Sequence, residues 1–203
     1  MKLKQETIRT FIAIEIPDEI QAKLAEIQTD LAKFMPRVSW VKQGNMHLTL
    51  KFLGDIGANQ IESINSVLQN VAESHSSFDI GFSGIGVFPN LRRPRVLWIG
   101  ITAGSEPATQ LAEDISNSLQ PLGFPREKRG FTPHLTLARI RYRINLEDVS
   151  GKFKQYDNLD IPTLKVDHFA FIRSQLHPRG SIYTPLKKFA LKLSLNMSGS
   201  EGL

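Results

Sequence analysis

The chain has 203 residues, of which 41% are apolar and 22% charged, and it contains no cysteine. A chain of this length forms one domain with a substantial core, or at most two small lobes. Without cysteine, disulfide scaffolds, thiolate metal sites, cysteine nucleophiles and CxxC redox pairs are excluded. The net charge of +5 is compatible with a polyanionic partner but does not establish one.

The amino-terminal region carries no targeting signal. Its run of mostly apolar residues, positions 11–16, is too short for the core of a signal peptide. No window approaches the roughly 20 apolar residues that cross a bilayer. We therefore expect a cytoplasmic protein without membrane contact. We also expect a monomer with one domain over residues 1–195 and a flexible tail at 196–203.

The spacing of apolar residues alternates between strand and helix periods along the chain. After a strand at 11–16, steps of four and three residues predict a helix, with a stripe of Ile20, Leu24, Ile27, Leu31 and Phe34. Asp18 with Gln21 resembles a capping box at the start of this helix. Further helices are predicted around 58–74, 106–120 and 146–154. Strands are predicted near 38–43, 47–53, 78–88, 95–102, 134–140, 160–172 and 181–193.

The two halves of the chain share a pattern. The strand at 11–16, a helix and the tetrapeptide His-Leu-Thr-Leu at 47–50 are matched by a strand at 96–101, a helix and the same tetrapeptide at 134–137. Two copies are too few, and the period is too long, for a solenoid. We therefore expect one domain built from two related halves, whose equivalent elements face each other across a cleft.

The two tetrapeptides carry the chemistry. In a strand, residues i and i+2 point to one face, so His47 lies beside Thr49 and His134 beside Thr136, while the leucines point to the core. An imidazole that titrates near pH 6.5 next to a hydroxyl suits proton transfer at a phosphate. Two such pairs across a cleft supply an acid and a base for in-line displacement at phosphorus. The near-identical motifs leave the two roles interchangeable.

Two other interpretations compete with catalysis. A single His in an apolar strand is more often structural, and duplication of a structural strand would produce two of them; the repeated pairing with Thr favours a catalytic site. A metal centre would require three or four ligands, and neither motif has an acidic residue within three positions. We therefore expect a site that needs neither a metal nor another cofactor.

Longer stretches around these motifs resemble a known family. They are residues 11–17, residues 45–54, residues 131–139, the tripeptide Ser-Gln-Leu at 174–176, Gly180 and Tyr183. Together they look like the signatures of the two-histidine phosphoesterase superfamily over residues 9–193. More narrowly, they are similar to the RNA 2',3'-cyclic phosphodiesterases of bacteria and archaea, once called 2'-5' RNA ligases.

The resemblance implies a fold, a reaction and a partner. The fold would be α+β, with two pseudo-symmetric lobes of antiparallel β-sheet and outer helices around a central cleft. The substrate would be RNA or a nucleotide with a 2',3'-cyclic phosphate, and the product a 2'-phosphate. His47 would protonate the departing 3' oxygen and His134 would activate water. The nonbridging oxygens would be held by Thr49, Thr136 and Arg139.

Arg139 raises a geometric difficulty. Strict alternation along the strand places it on the face opposite His134 and Thr136. Either a bulge or the strand end must turn its side chain toward the cleft, or Arg139 is a surface charge.

Other candidate contacts depend on weaker signals. Trp40, Phe131 and Tyr183 lie near the motifs and are candidates for stacking on a base, although aromatic residues in strands are more often core. Three basic clusters either follow an RNA backbone or belong to solvated loops. They comprise Arg92, Arg93 and Arg95; Arg126, Lys128 and Arg129; and Arg139, Arg141 and Arg143.

Three alternative functions stay open at this level. The same chemistry could act on a 2'-5' linked oligonucleotide, as a phosphodiesterase or a reversible ligase, or on the cyclic phosphate of an ADP-ribose derivative. The chain could also be a non-catalytic RNA-binding module. Intact His-Thr pairs argue against the last alternative, because binding alone would tolerate Lys or Arg in place of His.

Overall fold

The structure is a computed structural model that describes residues 7–35, 37–127, 130–178 and 180–194. The expected tail at 196–203 lies outside these residues. Three α-helices are present: α1 (Asp18–Ala32), α2 (Ile61–Ala72) and α3 (Ser105–Ser118). Three shorter 3-10 segments span Ala58–Gln60, Gln120–Leu122 and Glu147–Tyr156.

Ten β-strands complete the fold. They are β1 (Thr7–Glu15), β2 (Ser39–Trp40), β3 (His47–Gly57), β4 (Phe78–Ile80), β5 (Phe82–Phe88), β6 (Val96–Ile101), β7 (His134–Arg139), β8 (Leu164–Val166), β9 (His168–Gln175) and β10 (Ile182–Ala190). Two predicted strands are each divided in the structure. The segment at 78–88 becomes β4 and β5, and that at 160–172 becomes β8 and β9.

Helix α1 follows the predicted apolar stripe, and its Ile20, Leu24 and Leu31 are buried. The predicted capping box is wrong, because Pro17 is the N-cap and no side chain caps this helix end. Gln21 is buried instead. Its amide donates to the Ile16 carbonyl over 2.7 Å and its Oε1 accepts from the Gly44 N–H over 2.6 Å.

The strands form two four-stranded antiparallel sheets and one two-stranded sheet. The first sheet has the order β10-β9-β1-β3 and the second has the order β2-β7-β6-β5, while β4 pairs with β8. The leucines of both repeated tetrapeptides are buried, as their alternation predicts. The predicted α+β class, with two related lobes of antiparallel sheet, is confirmed.

The two halves of the chain exchange strands. Strand β5 belongs to the first half but pairs with β6, the first strand of the second half. Strand β9 belongs to the second half but pairs with β1 of the first. Strands β4 and β8 occupy equivalent places in the two halves and pair with each other. Each lobe therefore contains strands from both halves.

Candidate active site

A cavity of about 430 Å³ lies between the lobes, where β3 and β7 approach each other. Both repeated motifs contribute to its walls. The predicted catalytic and phosphate-binding side chains all line it: His47, Thr49, His134, Thr136 and Arg139. The structure therefore brings together residues that are 92 positions apart in the chain at their extremes, since 139 − 47 = 92.

The two imidazoles make equivalent hydrogen bonds. His47 Nδ1 lies 2.9 Å from the Asn45 carbonyl oxygen, and His134 Nδ1 lies 2.7 Å from the Thr132 carbonyl oxygen. A carbonyl oxygen only accepts, so each Nδ1 carries the proton of this bond. Nε2 is then the nitrogen of each ring that remains for proton exchange at the cavity.

Aromatic rings surround each imidazole. The His47 ring centroid lies 4.7 Å from that of Phe11 and 5.2 Å from that of Tyr183. On the other side of the cavity, the His134 ring lies 4.9 Å from Phe88 in an edge-on contact. These contacts remove water from much of both imidazole rings.

Loss of water changes the acidity of both groups. Burial lowers the pKa of His47 to about 4, against the opposing effect of its bond to the Asn45 carbonyl, and the positive charge of Arg139 lowers it further. Burial also lowers the pKa of His134, and Arg139 acts on it in the same direction. Both imidazoles are therefore neutral near pH 7 when the site is empty of anions.

A β-bulge places Arg139 in the cavity. Ala138 pairs with Leu97 and Thr136 pairs with Trp98, so Leu137 has no partner of its own on β6. Leu137 and Ala138 are both buried, and the alternation resumes one residue later. Arg139 thereby returns to the face of Thr136, as the first of the sequence-based alternatives requires.

The same bulge occurs after the first motif. Thr49 pairs with Ala13 and Lys51 with Ile12, so Leu50 is the extra residue of β3. Phe52 consequently faces the cavity and is 58% exposed. The sequence interpretation missed Phe52. Its signal was its offset, because Phe52 follows His47 by the same five positions that separate Arg139 from His134.

The predicted aromatic contacts divide into two groups. Phe131 and Tyr183 line the cavity. Trp40 is not among the residues that line it; this residue pairs with Ala138 in the second sheet and packs against the hydrophobic core. An aromatic residue next to a motif in sequence therefore need not share the motif's face.

Buried polar side chains hold the segments that lead into the two histidines. Gln21 binds the Gly44 N–H ahead of His47. Ahead of His134, the ammonium group of Lys51 donates to the Pro125 carbonyl over 2.9 Å and to the Ser116 hydroxyl over 3.0 Å. Burial lowers the pKa of Lys51, while the carboxylate of Glu127 opposes that effect. Neither supporting role was visible in the sequence.

The basic clusters are only partly connected with this cavity. Arg139 lines it, whereas Arg126 lines a neighbouring cavity of about 150 Å³ and Arg92 forms an ion pair with Glu147 at 2.8 Å. Lys128 and Arg129 lie outside the described residues. That these clusters follow an RNA backbone stays a prediction.

Two further searches were negative over the part of the chain that the structure describes. It contains no group of three or more His, Asp or Glu side chains arranged to hold a metal ion. Nor does it contain a helix with the length and apolar character needed to span a membrane.

Comparison with known proteins gives the same family twice in one chain. The family model described as LigT like Phosphoesterase matches residues 14–98 and again residues 99–183, one match for each predicted half. The RNA 2',3'-cyclic phosphodiesterase of Archaeoglobus fulgidus is 36% identical over 182 residues, which cover 90% of this chain and 99% of the relative. That of Methanothermobacter thermautotrophicus is 30% identical over 184 residues, 91% of this chain and 99% of the relative.

A solved structure supports the same assignment. The crystal structure of Escherichia coli LigT complexed with 3'-AMP is similar with a TM-score of 0.74 and 26% identity, covering 92% of this chain and 99% of that one. The resemblance that the motifs carry is thus confirmed by sequence and by fold. This chain belongs to the LigT-like phosphoesterase family.

Proposed function

We propose that this protein is an RNA 2',3'-cyclic phosphodiesterase that converts 2',3'-cyclic phosphate ends to 2'-phosphates. Its family and the named activity of its relatives support this assignment. One structural observation carries it. Two imidazoles with the same backbone hydrogen bond line one cavity together with two hydroxyls and a guanidinium.

The reaction assigns a separate role to each side of the cavity. Nε2 of His134 takes a proton from water, whose oxygen then attacks phosphorus as the bond from phosphorus to the 3' oxygen breaks. Nε2 of His47 gives its proton to that departing oxygen. Water is added across one bond, and a 2'-phosphomonoester and a 3'-hydroxyl result. Symmetry of the motifs leaves the opposite assignment chemically equivalent, and family resemblance selects this one.

Charge at phosphorus is balanced by the remaining side chains. The hydroxyls of Thr49 and Thr136 donate to the nonbridging oxygens, and the Arg139 guanidinium neutralises the negative charge that they share. Phe131 and Tyr183 offer aromatic surface to the nucleoside, and Phe52 does so from the opposite motif.

Substrate binding supplies the proton that His47 needs. An imidazole with a pKa of about 4 is almost fully neutral near pH 7. A bound phosphodiester places a negative charge beside it, and an adjacent opposite charge raises the pKa of a histidine. The acid is thus formed when the anion arrives.

The test is replacement of each histidine. Either His47→Ala or His134→Ala should reduce hydrolysis of a cyclic-phosphate-ended oligonucleotide by about 10²-fold or more, because each removes a general acid or base. His75→Gln is the control, since His75 pairs with Asp114 outside the cavity. Near-normal turnover by either alanine variant would refute the two-histidine mechanism.

The same assay separates the remaining alternatives. Identifying the product as a 2'-phosphate supports the proposed direction of ring opening, and a 3'-phosphate contradicts it. Turnover should persist in excess chelator, whereas its strict loss would indicate a metallohydrolase. The cytoplasmic location and the monomeric state stay predictions, and the proposed RNA substrate agrees with the former.

A further inference from the structure

Gln28 is a buried amide that does not line the cavity. It lies on the inner face of α1 and is 8% exposed. Its Nε2 donates to the Leu137 carbonyl over 2.8 Å and to the Val41 carbonyl over 2.9 Å. Both hydrogens of the amide nitrogen are therefore used on backbone atoms of the second sheet and the segment beside it.

One of these acceptors belongs to the bulge of β7. Leu137 is the extra residue, so it has no paired residue on β6. Its carbonyl accepts from the Val41 N–H over 2.9 Å as well as from Gln28. A bulge leaves the local ladder disrupted, and these two donors satisfy the oxygen at the point of disruption.

The bulge decides where Arg139 points. With it, Arg139 shares the face of His134 and Thr136; in regular pairing, Arg139 would lie on the opposite face. Without the amide of Gln28, the buried carbonyl of Val41 would lose the donor that Gln28 supplies, and the bulge would lose one of its two supports. The fold itself would keep the Val41–Leu137 bond.

From these contacts we infer that Gln28 is a positioning residue that holds Arg139 in the catalytic cleft. The inference rests on the proposed function, in which Arg139 binds the phosphoryl oxygens. Gln28 acts across the repeat, because α1 belongs to the first half of the chain and Arg139 to the second.

A double-mutant cycle tests this role through Arg139 itself. The variants are Gln28→Leu, Arg139→Gln and the double substitution, and the measurement is kcat/KM for adenosine 2',3'-cyclic phosphate. We expect Gln28→Leu to lower kcat/KM by about tenfold in the wild-type background and by less than about twofold when Arg139 is already replaced. Thermal unfolding identifies variants that fail to fold, and Gln28→Met then replaces Gln28→Leu, since Met preserves the length of the side chain.

The matched control is a second buried glutamine on the same helix. Gln21→Leu weakens the segment ahead of His47, not the bulge, so its effect on kcat/KM should be equal with and without Arg139. Equal effects of the Gln28 substitution in both backgrounds would overturn the inference, as would normal turnover by Gln28→Met. If Arg139→Gln alone keeps normal kcat/KM, the inference falls with the role of Arg139. The histidine variants would still test the proposed reaction independently.

Discussion

His47 and His134 share a hydrogen bond to the backbone but titrate in a site that disfavours their charged forms. Aromatic contacts bury both rings, and Arg139 adds a positive charge to the same cavity. The pKa of each is therefore below its ordinary value of about 6.5 in the free protein. A bound phosphodiester reverses this effect, because its charge favours the imidazolium.

The pH dependence of turnover should report this difference. The ratio kcat/KM follows groups of the free enzyme, so its bell should lie on the acid side of neutrality, with one limb near pH 4. Activity by this measure should fall as pH rises through 6.5, because the imidazole that serves as acid loses its proton. The kcat bell should lie at higher pH, since it follows the complex. A kcat/KM that still rises above pH 7 would contradict the lowered pKa values.

At the scale of the element, the bulges explain what alternation alone misses. Period-two spacing correctly predicts that His47, Thr49, His134 and Thr136 leave the core while the leucines enter it. It fails one residue later, where two consecutive residues are buried in each motif. Whether a strand bulges depends on its neighbours, which sequence spacing does not identify. Phe52 was missed for this reason.

The same limit applies to strands that change partners. The segment at 78–88 has continuous strand character, but its chain crosses from one sheet to another at Gly81. Strand β4 pairs with β8 and β5 pairs with β6 on either side of that residue. Apolar spacing predicts that a segment is extended and which face is buried; it does not say which sheet the segment joins.

The bulge of β3 also turns Lys51 inward, where it supports a loop of the other half. Lys51→Met keeps the aliphatic stem but leaves the Pro125 carbonyl and the Ser116 hydroxyl without their shared donor. We expect a loss of about 1–3 kcal/mol in the free energy of unfolding, measured by urea denaturation. We also expect a lower kcat, because the loop leads to Thr132, whose carbonyl holds His134.

Lys33→Met provides the comparison for that substitution. Its side chain forms an exposed ion pair with Asp30 on the surface of α1, and such pairs contribute little. Stability indistinguishable between Lys51→Met and Lys33→Met would show that the buried ammonium group is not a brace.

At the scale of the whole molecule, exchanged strands make the two halves interdependent. A fragment of residues 1–95 would leave β5 without β6, and one of residues 96–203 would leave β9 without β1. Neither fragment should show a cooperative thermal transition alone. The intact chain should unfold in one transition, as the proposed single domain over residues 1–195 requires. Circular dichroism of the three proteins tests this, and cooperative unfolding of either fragment would contradict it.

The pairing of β4 with β8 has a consequence for the origin of the site. Equivalent strands that run antiparallel to each other form a self-complementary contact, the kind that joins two identical subunits about a twofold axis. One repeat alone would expose this edge, and a second identical copy would cover it. A homodimer of single repeats would then contain two identical histidines and could not distinguish acid from base. Joining the copies in one chain permits them to diverge, and the guanidinium of Arg139 in one repeat now corresponds to the ring of Phe52 in the other.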